Sequence, residues 1–380
     1  MRPAHPEREL ADLAEAGLLR QLRETTPLGG TYVGRDGYGF WNFASNDYLG
    51  LAAHPLIRDA FHEGLDRFGH GAAASRLITG SQPPHIRFEE QLAEAKGTEA
   101  ALLFSSGFAT AVGVVPALVG KGDFVILDKL CHACLIDGAR LSGATLRVFP
   151  HNDLGKLESL LQGIRSKNAE ARVLILTESV FSMDGDLSPL EGILDLKERH
   201  DALLLLDEAH GFGVLGPTGM GLAEQLGVQD RIDFHMGTLS KAAGLSGAYL
   251  ATSTIWRDLL VNRARSFIYS TAPPPALAHA ASAAVTLIRS DEGGALRTKL
   301  AEKVAILRPD GPPTPIIARI AGDNEAALSD SELLADHGFM VPAIRYPTVP
   351  RGSARLRISV SAAHPTHAVE GLARLLSRFR

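Results

Sequence analysis

ALLLLDEAHGFGVLG, residues 202–216, is the stretch from which the fold is read. Its apolar run ends at Asp207 and has the length of a strand buried on both faces. Four comparable runs precede it: ALLF at 101–104, FVIL at 124–127, TLRVF at 145–149 and VLILT at 173–177. The segments between them are long enough for crossover helices, which predicts an α/β domain with a mainly parallel sheet covered by helices. In such sheets ligands bind beyond the carboxyl ends of the strands, so the residues that follow these runs are the first to inspect.

Asp207 follows the strongest of them. A carboxylate at a buried strand end is costly without a cation, and a protonated ring nitrogen would supply one. The same stretch contains Gly211, Gly213 and Gly216 in the spacing GxGxxG. A dinucleotide site needs the first glycine directly after the strand and a helix at the third. Here DEAH intervenes, and Pro217, Gly219 and Gly221 exclude the helix, so that reading is rejected.

Outward from this point, Gly237–Gly244 reads GTLSKAAG and follows the apolar IDFHM. A lysine among hydroxyls and glycines after a strand, here Lys241, can sit in a dry pocket and form an imine. Thr238 and Ser240 offer hydroxyls to a phosphate. Upstream, Ser105-Ser106-Gly107-Phe108 lies between a strand and a helix, where free backbone N–H groups and the helix dipole make an anion site. His132 follows FVIL and Asp128 and could lie flat against an aromatic cofactor. Ser182 sits in a loop, VFSMDG. Late in the chain, Arg355 and Arg357 are candidates to clamp a carboxylate, and alternation along the strand is expected to turn one of the two inward. Each feature alone has an ordinary reading as a cap, a core salt bridge or a surface charge. All of those readings would have to hold together for the chemistry to fail.

The 380 residues fit two domains, and 45% hydrophobic content is enough for a substantial core. A net charge of −5 with scattered basic residues implies no nucleic-acid partner. No apolar stretch reaches membrane-span length and the start, MRPAHPEREL, lacks a signal-peptide core, so a soluble, cytoplasmic protein is expected. Cys131 and Cys134 form a lone CxxC without a second pair to complete a zinc shell, and no metal is expected. The expected domains are an N-terminal arm, residues 1–45, a large domain, 46–285, and a small C-terminal α+β domain, 286–380. The arm should hold a helix over Glu9–Arg23 and a β-rich stretch around Thr31–Phe43. The last domain should hold strands at PIIARI (315–320), FMVPAI (339–344) and RLRISVS (355–361).

Taken in chain order, the anion-binding turn, the flat histidine, the strand-end aspartate, the lysine and the late arginine resemble fold-type I pyridoxal-phosphate (PLP) enzymes, and among them the α-oxoamine synthases. The likeness runs from about Asn42 to His364, through NFASNDYLGL (42–51), SRLITGS (75–81), FSSGF (104–108), HNDL (151–154), VFSMDGD (180–186), DEAHGFGVLG (207–216), SKAAGLSGAY (240–249) and ARLRISVSAAH (354–364). SRLITGS, GTEAALLFSSGF (97–108) and the tail AIRYPTVPRGSARLR (343–357) are most similar to the members that join L-alanine to a pimeloyl thioester on coenzyme A or acyl carrier protein.

The resemblance implies pyridoxal 5'-phosphate as cofactor, an amino acid and an acyl thioester as substrates, and a homodimer. It implies Lys241 as the imine lysine, Asp207 as partner of the ring nitrogen, His210 on the ring phenolate oxygen and His132 stacked on the ring. Gly107, Phe108, Ser182, Thr238 and Ser240 would hold the phosphate and ring, with Thr271 reaching the neighbouring subunit's phosphate. Arg357 would take the amino-acid carboxylate, and Arg20, Asn46 and Thr348 would touch substrate. The rivals are a non-catalytic partner subunit, which typically lacks the lysine, and an aminotransferase or side-chain lyase on the same fold. Three departures stand out: Phe212 where threonine is usual, Ala72–Ala74 in place of glycines, and a shorter stretch over 290–314.

Overall fold

A computed structural model describes residues 5–378; the extreme ends of the expected arm and C-terminal domain lie outside the described residues. The chain divides into two compact units. One comprises Asp47–Ser182 and Asp186–Lys299; the other comprises the residues up to Asn46, Met183–Gly185 and those from Leu300 onward.

The larger unit is built on a seven-stranded sheet. Its spatial order is Ala100–Phe104, Ala248–Thr252, Phe234–Thr238, Leu203–Asp207, Val173–Glu178, Phe124–Asp128 and Thr145–Phe149. All neighbours run parallel except Ala248–Thr252, which is antiparallel to both of its partners. The five runs read from the sequence are therefore strands. Leu204, Leu205 and Leu206 are fully buried, and burying each such side chain contributes about 1.5–3 kcal/mol. The antiparallel strand carries no comparable signal in the sequence, because AYLAT lacks the branched apolar run that marks the others.

Register decides where chemistry is placed. Ala248 pairs with both Phe104 and Thr238, Met236 pairs with Asp207, and Asp207 pairs with Glu178. The carboxyl ends of the parallel strands thus share one edge, and the turns starting at Ser105, Lys129, Ser179, Glu208 and Leu239 all emerge there. Helices follow several of these turns: Gly107–Leu118 is capped by the Ser106 hydroxyl, which accepts from the Ala109 N–H at 3.1 Å. Behind the edge, Lys96 and Glu208 form a fully buried ion pair at 2.5 Å. Burial would raise the Glu208 carboxyl, but the Lys96 ammonium and His235 overcome it and hold its pKa at about 2.

In the smaller unit, Thr26–Gly29, Tyr32–Arg35 and Tyr38–Asn42 form an antiparallel meander, and Phe339–Met340 adds in parallel to the last of them. A second sheet orders Ile316–Gly322, Ala354–Ser359 and Ala343–Ile344. Two expectations are corrected here. The helix of the arm spans Pro6–Glu15, not Glu9–Arg23. Gly17 takes φ +64°, its N–H donates to Ala14 O, and Leu18 N–H donates to Leu13 O at 2.8 Å, a Schellman stop after which the helix cannot continue. The expected strand FMVPAI is two short strands, Phe339–Met340 and Ala343–Ile344, because Pro342 has no N–H for a ladder; its carbonyl instead accepts from Arg357 N–H. Among the described residues no helix is long and apolar enough to cross a membrane.

Candidate active site

Lys241 is presented by a tight loop at the sheet edge. Leu239 N–H donates to Gly247 O, Leu245 N–H to Leu239 O, and Gly244 N–H to Lys241 O, all at 2.9–3.0 Å. Gly244 holds φ +67° and packs on the backbone of Leu51 and Ala52, so any side chain there would collide. The Lys241 amine lies 2.7 Å from His210 Nε2, and His210 Nδ1 lies 2.6 Å from the hydroxyl of Tyr48. Tyr48 is fully buried and His210 nearly so. Whichever nitrogen of His210 carries the proton, the ring links the amine to the phenol, and Tyr48 fixes its orientation.

Tyr48 was not among the sequence candidates. Its signal was the motif NDYLGL: Asp47 accepts from Leu51 and Ala52 N–H at 2.8 and 3.1 Å and folds the turn that carries Tyr48 inward. Tyr48→Phe keeps the packing and strands His210 Nδ1 in the interior, a loss of about 1–3 kcal/mol. A fall in kcat/KM of roughly 10- to 100-fold is expected, together with a melting temperature lowered by a few degrees; kinetics indistinguishable from the parent would remove Tyr48 from the site.

Asp207 is 4% exposed and accepts from Ala209 N–H at 2.9 Å. Burial raises its pKa, against the opposing pull of Lys241, that hydrogen bond and His132. An interior carboxyl raised by desolvation is short of positive charge. Its carboxylate is the acceptor that a protonated pyridine nitrogen would need, and with the Lys241 amine and the His132 imidazole close by, the residues fit such a ring. His132 caps the helix Ala133–Ser142, accepting from Cys134 N–H; its ring is exposed, yet the protein crowding it still lowers its pKa. Its main-chain N–H donates to Glu178 at 2.5 Å. Glu178, also unread from the sequence, is buried beside Asp207. The two cysteines are free and buried, and burial pushes both thiols upward, so neither is poised for redox or metal chemistry.

The remaining candidates of this unit lie on the same edge. Gly107 and the exposed Phe108 open a helix. The Thr238 hydroxyl lies 2.7 Å from that of Ser240 and donates to Gly247 O. Thr271 forms an isolated bridge with Ser75 and lines, with Ser105 and Phe104, a narrow cleft. Ser182 is buried in the loop pinned by the bridge Val180–Leu187. That loop is latched by His151, whose Nε2 meets Asp186 at 2.7 Å while its Nδ1 meets Asp128 at 3.0 Å. Phe212 is buried against Tyr249, 5.3 Å between ring centres, beside the Lys96–Glu208 pair.

Partial burial would lower the pKa of His151, but the two carboxylates outweigh it and raise it to about 10. The unfolded value is about 6.5, so the latch contributes fully below that pH and is lost as pH climbs toward 10. Denaturant melts should therefore show the parent losing stability from pH 6.5 to 9.5, with a smaller loss in His151→Gln. Parallel curves for the two proteins would rule the latch out.

In the smaller unit, Arg355 and Arg357 are both buried, which corrects the expectation that one would turn away: residues two apart on a strand share a face. Arg355 is engaged by Asp184 and Met183 O. Arg357 donates to Asn46 Oδ1 at 3.2 Å and to Ser359 Oγ at 2.7 Å. Arg20 Nη2 donates to Thr348 Oγ1 at 3.3 Å, and both line a cavity of about 180 Å³ with Leu18, Arg345 and Tyr346.

Residues 39–376 match the family model for class I and II aminotransferases. A protein of Geobacter sulfurreducens named 8-amino-7-oxononanoate synthase is 46% identical over 97% of this chain and 96% of its own length. Among solved structures, serine palmitoyltransferase of S. paucimobilis with bound PLP–myriocin aldimine superposes with a TM-score of 0.90 at 27% identity, covering 97% of this chain and 95% of that one. An 8-amino-7-oxononanoate synthase of Francisella tularensis does so at 0.76 and 26%, covering 89% and 97%.

Proposed function

Because this chain belongs to the class I and II aminotransferase family, on its α-oxoamine synthase branch, we propose that it is a PLP-dependent acyltransferase that condenses L-alanine with a pimeloyl thioester to give 8-amino-7-oxononanoate, thiol and carbon dioxide, in biotin biosynthesis. The observation that carries the reading is the Lys241 amine, hydrogen-bonded through His210 to Tyr48 and set beside buried Asp207. Bound PLP supplies an electron sink for the pair left at the amino acid's Cα.

The chain's own groups do the rest. Lys241 would hold the cofactor covalently, and its amine, when free, would take the Cα proton. Asp207 would keep the ring nitrogen protonated, His210 would donate to the ring oxygen, and His132 would cover the ring face. The Gly107–Phe108 turn, Ser182, Thr238 and Ser240 hold the phosphate and ring. Arg357 clamps the amino-acid carboxylate, leaving the Cα–H bond free to align, while Asn46, Arg20 and Thr348 contact substrate. The working form is a cytoplasmic homodimer in which Thr271 reaches the partner's phosphate.

Thiol release across a panel of amino acids and acyl thioesters tests this. Strong preference for L-alanine with pimeloyl-coenzyme A or pimeloyl-acyl carrier protein is expected. Preference for glycine or serine would move the chain to a sibling activity, and keto-acid formation without thiol would make it an aminotransferase.

A further inference from the structure

Glu178 is a buried acid that the reaction above does not use. It closes the strand Val173–Glu178 and stands in register with Asp207, one strand over. Its Oε1 accepts the His132 N–H at 2.5 Å, at the start of the helix whose cap is His132 itself. We propose that Glu178 is a positioning residue of this site: its carboxyl fixes the His132 turn, and its charge sets the field at the Lys241 nitrogen.

A carboxyl is an expensive choice for a merely structural acceptor here. A glutamine would grip the same N–H without placing a second acid beside Asp207. Desolvation lifts the Glu178 pKa to about 8, Asp207 and Asp128 add to the rise, and Lys241 and the His132 N–H oppose it. Cys131 and Cys134 also face it, with thiols pushed upward and hence neutral. Below that pH Glu178 is neutral and Asp207 alone balances the ring nitrogen. Above it, Glu178 gains a negative charge that retains the proton on the Lys241 nitrogen.

The inference rests on PLP being held at Lys241, and the test separates the two. Two variants are compared with the parent as holoenzymes, by visible absorbance against pH and by cofactor loss on dialysis. Glu178→Gln should retain cofactor like the parent but lower the pH midpoint of the absorbance change by about one unit, the scale of one nearby charge. Glu178→Leu should lose cofactor about tenfold faster, as expected when the partly buried His132 N–H is left unpaired, and the Gln variant rescues that loss. If the parent shows the PLP band while both variants share its midpoint and retention, the inference fails and the function stands; a parent without the band sinks the function itself. Should the Leu variant not fold, an unshifted midpoint in Glu178→Gln alone overturns the proposal.

Discussion

Lys241→Ala is expected to lower turnover by about 10,000-fold or more, since a positioned general base alone contributes up to that factor and the covalent anchor is lost with it. The geometry makes this variant informative. Lys241 sits on a loop closed by its own backbone hydrogen bonds and by Gly244 against Leu51–Ala52, none of which involves the amine. The fold should survive, and PLP should still bind through the helix start at Gly107, the Thr238 and Ser240 hydroxyls and Asp207. Thiol-release assays, with mass spectrometry of the borohydride-reduced protein, check both halves: parent tagged at residue 241, variant untagged and inactive. Near-normal turnover in Lys241→Ala would mean that another group abstracts the proton.

Much of this architecture is legible in the sequence because of one physical regularity. A strand buried on both faces must be an apolar run, and the residue at its carboxyl end must turn, so VLILT, ALLLLD and IDFHM announce both the sheet and the edge where Asp207 and Lys241 emerge. What escapes notice obeys weaker rules. Ala248–Thr252 is an antiparallel strand of mixed composition, and without it Phe104 would not stand in line with Thr238. Tyr48 and Glu178 read as ordinary core residues, because their meaning lies in partners 162 and 46 positions away. The Glu9–Arg23 helix fails at Gly17, a stop that the amphipathic pattern runs straight past. Arg355 and Arg357 share a face, and what separates them is the partner: a carboxylate for the first, an amide and a hydroxyl among the partners of the second.

Asp207→Asn should be the second most damaging change, lowering kcat/KM by roughly 150- to 5,000-fold, the 3–5 kcal/mol expected when a buried charge pair loses one member. Asparagine is nearly isosteric and still accepts the Ala209 N–H, and the neighbouring Lys96–Glu208 pair holds the turn from behind. Folding should therefore be preserved and the loss confined to charge. Without that carboxylate a bound ring nitrogen would lose its assigned ionic partner, because the next acid, Glu208, is already paired with Lys96, and the electron sink that the cofactor supplies would become shallow. The defect should fall mainly on kcat, because the amino-acid carboxylate is assigned to Arg357, and stopped-flow Cα deuterium effects on L-alanine should grow as proton removal becomes limiting. An Asp207→Asn enzyme with parental kcat and an unchanged isotope effect would show that the strand-end acid serves the fold alone.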